Sequence, residues 1–207
     1  MSARDLRLTS QRVVDAATRL LDAHGPDGLT LSAVARELGV RTPSLYHHVD
    51  GLAGLRSELR THGIALLADR LRDAAVGRAG RDALESMGRA YLGFARERPG
   101  LYALTLAGTT EHDPARAADA TTRVLDTVTA VLRGYGLEGD PAIHAARFVR
   151  STLHGFVTLD QAGGFALDQD LTTSIDRIFD AMHAGLQRLR ETSTGSGGER
   201  DATFGTL

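Results

Sequence analysis

Apolar residues recur every three to four positions along almost the whole chain, and this spacing restricts the fold more than any other feature. Runs in which β-branched and polar residues alternate are lacking, so the sequence predicts an all-α protein. Glycine, proline and hydroxyl residues punctuate the pattern. Thr9 or Ser10 opens a first helix that puts Val13, Val14, Ala17, Leu20 and Leu21 on one face and stops at His24-Gly25-Pro26. A short helix follows Thr30 and carries Leu31, Val34, Ala35 and Leu38 inward before Gly39. Thr42-Pro43 restarts a helix, with threonine as cap and proline at the first helical position, where its missing N–H costs nothing. Asp50 then caps a long helix reaching about Val76.

Gly77-Arg78-Ala79-Gly80 reads as a joint between a small head and a larger body. Beyond it the pattern predicts helices at 82–97, just after Pro99, and at 113–135, 141–162 and 170–190. The expected division is a flexible arm at 1–8, a head at 9–56, a body at 57–191 and a polar, disordered tail at 192–207. No stretch approaches the roughly 20 apolar residues of a membrane span. The start, Met1-Ser2-Ala3-Arg4-Asp5, leads into no apolar segment of a secretory signal. Without cysteine the chain has no disulfide, thiolate zinc site or cysteine nucleophile, which suits a cytoplasmic protein.

The stretch Thr30–Val49 carries the functional reading. Two short helices joined at Gly39 bury too little alone, so the preceding helix completes a three-helix core with Leu21, Leu29, Val34, Leu38, Val40 and Leu45. The second of the pair then presents Thr42, Pro43, Ser44, Tyr46, His47 and His48, whose hydroxyl and imidazole groups suit base edges and phosphates in a DNA major groove. The net charge of −2 hides a slight asymmetry. Residues 1–60 hold eight arginines and seven carboxylates, and the rest of the chain sixteen and nineteen. Every basic side chain except histidine is arginine, a residue suited to bidentate phosphate contacts.

Gly28, Thr30, Val34, Ala35, Leu38, Gly39 and Val40, followed by Leu45, Tyr46, His48 and Val49, resemble the DNA-binding domain of the tetracycline-repressor-like (TetR) family. The resemblance implies an N-terminal three-helix helix-turn-helix domain and a C-terminal helical bundle for ligand binding and dimerisation. It implies that Thr30 and Ser32 lie near a phosphate strand and that Thr42, Pro43 and Ser44 lead the recognition helix towards bases. Tyr46, His47 and His48 would contact phosphates or thymine methyl groups. The family's usual lysine near the start of the next helix is replaced by Leu52, and Arg41, or Arg4 and Arg7, would have to supply that phosphate contact. Pro99-Gly100-Leu101-Tyr102, Leu153-His154-Gly155-Phe156 and Ala162-Gly163-Gly164-Phe165 resemble the family's ligand-binding half, more loosely its Trp-His-Gly subgroup, although the tryptophan is absent.

Tyr91, Phe94, Tyr102, His154 and Phe165 are the candidates for an effector site, although an aromatic stripe at helical spacing is more often core than pocket. Tyr46 also has a second reading, as a side chain packed on the core of the head. The wide apolar cover of the last two helices, including Ile143, Phe148, Phe179 and Leu189, reads as a homodimer interface or as a face that closes the body. No nucleophile–base pair, phosphate loop or metal-ligand spacing stands out, so an enzyme is not expected, nor a metal or cofactor. The expected function is a ligand-responsive repressor, released from a palindromic operator by a small molecule.

Overall fold

A computed structural model describes residues 8–106 and 114–195; residues 1–7 of the expected arm, with Arg4 and Arg7, and the tail beyond 195 lie outside the described residues. Eight α-helices are described: α1 Ser10–Gly28, α2 Leu31–Leu38, α3 Gly51–Ala75, α4 Gly80–Glu97, α5 Pro99–Thr105, α6 Pro114–Arg133, α7 Gly139–Gln161 and α8 Leu171–Gly195. A 3₁₀ segment, Thr42–His47, sits between α2 and α3, and no strand occurs among the described residues. The all-α reading therefore stands, and helix α8 continues four residues into the expected tail.

The helix boundaries follow from local chemistry. Thr9 is extended (φ −135°, ψ 156°) and its hydroxyl accepts from Arg12 N–H at 3.2 Å, capping α1. Gly25 (φ 69°) breaks that helix where His24-Gly25-Pro26 predicts, and one further turn runs to Gly28. Ahead of α8, Asp170 accepts from the backbone N–H groups of Thr172 and Thr173, and these bonds hold its carboxyl below the usual carboxylate range.

The chain divides into two compact units, one comprising residues up to Asp69 together with Gly93–Val124, the other Arg70–Leu92 with residues from Leu125 onward. The Gly77–Gly80 turn, read from sequence as a joint between head and body, lies inside the second unit. In the first unit Val13, Ala16, Ala17 and Leu21 of α1, Val34 of α2, and Leu45, Leu55 and Leu59 are fully buried. Leu38 and Val40, expected in that core, are half-buried. The core of the second unit is built from Leu84, Leu132, Leu153, Phe179, Met182 and Leu186. Helices α4 and α8 approach closely there, since a Cβ on Gly88 would lie 2.4 Å from the Phe179 ring. Arg89 spans the same two helices, bonding Glu85 and Asp176 with its guanidinium 5.3 Å from the Phe179 ring centre.

Candidate DNA-binding site

Helix α2 begins at Thr30, which is extended (φ −131°, ψ 153°) and accepts from Ala33 N–H at 3.1 Å. The Thr30 hydroxyl also lies 3.1 Å from that of Ser32, and both residues are exposed at this end of the helix. At the other end Gly39 adopts the left-handed conformation (φ 67°, ψ 29°). Its N–H donates to Arg36 C=O, and Val40 N–H reaches back to Ala35 C=O at 2.9 Å. The turn needs glycine because a side chain disfavours positive φ.

The segment that follows differs in kind from the expected α-helix. It is 3₁₀ over Thr42–His47, and its capping residue is Arg41 (φ −82°, ψ 142°), not Thr42. The first i→i+3 bond, Ser44 N–H to Arg41 C=O at 2.9 Å, already encloses Thr42 and Pro43. The tighter coil rises about 2.0 Å per residue against about 1.5 Å in an α-helix, so these few residues cover more of the path to α3. His48 N–H closes the segment on Leu45 C=O at 2.8 Å.

With three residues per turn, side chains three apart lie in one column. Leu45 is fully buried and anchors the segment, and Thr42 and His48, sharing its column, are half-buried. Of the remaining columns, Pro43 and Tyr46 are exposed in one, and in the other Arg41 and His47 are exposed with Ser44 half-buried between them. Tyr46 is 60% exposed, which excludes its alternative reading as a core residue. The nine sequence candidates of the head thus lie on or beside two consecutive elements of the first unit, with hydroxyl, imidazole, guanidinium and aromatic groups available for donor, acceptor and methyl contacts. Leu52, where the family resemblance predicts lysine, is half-buried in the first turn of α3. Ser10 ties the start of α1 to this site by donating to His48 C=O at 3.4 Å.

The five effector candidates do not form one described site. Phe94 and Tyr102 are buried in the first unit, and Tyr91 is buried in the second. His154 Nδ1 lies 3.3 Å from the Thr158 hydroxyl one turn along α7. Phe165 is 37% exposed, with its ring centre 5.0 Å from that of Phe156. Two clefts of the second unit are lined by other residues. One, of about 450 Å³, has His144, Phe148, Gly185, Arg188 and Leu189 in its wall. The other, of about 390 Å³, lies among Arg72, Val76, Ala79, Ala83, Asp126 and Val131. Periodicity singled out Phe148 and Leu189 as apolar cover, but no sequence signal marked the second cleft. Among the described residues no three His, Asp or Glu side chains are grouped to hold a metal ion, and no helix is long and apolar enough to cross a membrane.

Known proteins align with both parts of the chain. Residues 13–55 match the model of bacterial regulatory proteins of the tetR family, and residues 84–182 match that of the tetracyclin repressor-like C-terminal domain. An HTH-type transcriptional regulator of Bacillus subtilis (strain 168) is 37% identical over 86% of this chain and 93% of its own. Another, from Mycobacterium tuberculosis (strain ATCC 25618 / H37Rv), is 39% identical over 95% of this chain and 88% of its own. The solved structure of a TetR variant from Acinetobacter baumannii AYE, in complex with minocycline, superposes with a TM-score of 0.68 at 24% identity, covering 89% of this chain and 99% of that one. The chain therefore belongs to the tetracycline-repressor-like (TetR) family, whose members are DNA-binding transcriptional regulators and not enzymes.

Proposed function

We propose that the chain is a repressor that grips a palindromic operator as a homodimer and lets go when a small molecule binds. The observation that carries this reading is the 3₁₀ segment, in which Leu45 is fully buried while Pro43, Tyr46 and His47 face outward beside the exposed cap of α2. In this reading Pro43, Ser44, Tyr46 and His47 reach base edges, with Thr42 and His48 close behind. Thr30, Ser32 and Arg41 hold the flanking phosphates, Arg41 standing in for the missing lysine. Two copies related by a two-fold axis would enter successive major grooves about 34–36 Å apart.

The second copy is expected on α7 and α8. Ile143, Phe148 and Leu189 remain 48%, 40% and 36% exposed on helices whose opposite faces are packed, and the cleft at Phe148 and Leu189 gives such a partner a recess to fill. The effector is a small molecule, as minocycline is for the Acinetobacter protein's complex. In the second unit His154 and the tilted Phe165–Phe156 pair would supply a polar and an aromatic contact. Such a ligand acts only through a difference in affinity between the gripping and released states.

Selection from a random duplex pool tests the reading. The expected product is an inverted repeat whose binding weakens with salt, each phosphate contact adding about 0.9 to the log–log slope. A pool that yields no enriched duplex at low salt would sink it. Light scattering tests the dimer: Phe148→Asp is expected to give monomers with an intact helical spectrum, and a dimeric variant would move the interface elsewhere.

A further inference from the structure

Asp22 lies on α1 three turns from the start of that helix, far in sequence from its partners. Its side chain is 15% exposed, and both oxygens are used. Oδ1 accepts from Leu101 N–H at 3.2 Å, in the first turn of α5, and Oδ2 accepts from the Arg98 guanidinium at 3.1 Å. The carboxylate therefore satisfies a backbone donor that the short helix leaves open, and neutralises the arginine that precedes it.

The contact is shaped as well as charged. A Cβ on Gly100 would lie 2.2 Å from Leu21 C=O, so α5 lies directly against the backbone of α1. From the other side Gly63 of α3 faces Leu101 and Thr105, where a Cβ would meet both at 3.0 Å. Helix α5 thus touches both α1 and α3, the second of which directly follows the reading segment. Helix α1 links both ends of this arrangement, since Ser10 bonds His48 C=O while Asp22 holds α5. Arg56 of α3 adds a bond to Pro26 C=O at 3.3 Å.

We infer that Asp22 is a positioning residue for DNA binding, a latch that fixes α5 on α1 and thereby sets the pose of the 3₁₀ segment. The inference rests on the DNA-reading role proposed for that segment. Unlatched chains populate poses that do not fit the groove, and apparent affinity falls by the fraction of competent molecules. Charge alone predicts the opposite, because removing a carboxylate from a DNA-facing unit favours binding to phosphate. The sign of the effect therefore separates positioning from electrostatics.

The test compares full-length wild type, Asp22→Ala, Asp22→Asn and Arg98→Gln on a fluorescent duplex selected by the wild type. Anisotropy at fixed salt is read alongside amide hydrogen exchange in α5. Asp22→Ala is expected to bind about tenfold more weakly, with faster exchange at Leu101 and Tyr102. Asp22→Asn keeps an oxygen for Leu101 N–H and should fall between. A folded Asp22→Ala chain within about twofold of wild type overturns the inference, as does weaker binding with α5 exchange unchanged. If Asp22→Ala fails to fold, Asp22→Asn and Arg98→Gln decide by the same two readouts. A wild type that selects no duplex overturns the role of the reading segment, and this inference with it; binding by wild type and variants alike overturns only the latch.

Discussion

Each unit brings two helices together at a glycine, and the two joints are secured differently. In the first unit Gly100 of α5 lies against a backbone carbonyl of α1, and one largely buried carboxylate bonds both a backbone N–H and a guanidinium. In the second, Gly88 of α4 lies against the edge of the Phe179 ring of α8, while Arg81 and Arg89 pair with Asp180 and Asp176 across the surface. Those arginines are 53% and 41% exposed, so water and salt screen them. The first joint is directional: its Arg98 is 44% exposed, much like those arginines, but the carboxylate that bonds Leu101 N–H is only 15% exposed. The second is apolar with a wet rim, and its strength comes from packing around Phe179.

The largest effect should come from filling the tighter contact. Gly100→Ala places a methyl against Leu21 C=O, which cannot move without bending α1, and a loss of about 3 kcal/mol or more is expected by urea denaturation. Gly88→Ala meets the edge of a side-chain ring that can turn, and about 1–2 kcal/mol is expected. Equal losses would erase the distinction between a backbone stop and a side-chain stop.

What could be read from the sequence follows the same division between local and distant causes. The helix that starts after Thr30, its stop at Gly39 and the inward Leu45 are specified within a few residues of themselves, and the structure has each as expected. The 3₁₀ geometry of Thr42–His47 was not legible, because cap and proline suit either helix and the path to α3 decides. Nor was the Asp22 latch, whose partners lie 76 and 79 positions along the chain. Gly100 stood out only as part of a family resemblance, without its steric reason. In the body, helical period located Tyr91, Phe94 and Tyr102 on inward faces, and all three are buried. Periodicity does not distinguish a packed interior from a cavity wall, so the clefts and the aromatic candidates fell on different residues.

A smaller effect is expected where the second joint relies on charge. Arg89→Ala removes two exposed ion pairs and a contact over the Phe179 ring, together about 1 kcal/mol or less of stability. The loss should shrink little in 0.5 M salt if the ring contact dominates, and should vanish if the ion pairs do. Asp22→Ala offers the contrast: it also removes the acceptor for Leu101 N–H, a bond to a carboxylate only 15% exposed, so part of its loss of stability should persist at that salt.

The smallest expected effect is a pH dependence confined to the first unit. His62 of α3 titrates below the usual imidazole range, chiefly because burial disfavours its charged form. Arg98 and Arg116 push in the same direction, and Asp15 opposes them. The unfolded chain, with an ordinary imidazole near 6.5, binds more protons than the folded one between the two values. His62 therefore contributes stability that is fully present above about pH 6.5 and is lost as pH falls through its folded value. Asp170 acts only lower, since its carboxyl is held below 3.8 and the stability it adds is lost in still more acidic solution. Melting temperatures of wild type and His62→Gln at pH 7.5 and 5.5 isolate the imidazole. The wild type should lose more on acidification than the variant, and Asp15→Asn, which removes the opposing charge, should lose at least as much as the wild type. Identical losses in wild type and His62→Gln would assign the acid sensitivity of the first unit to other groups and leave its joint insensitive to pH where the Asp22 latch operates.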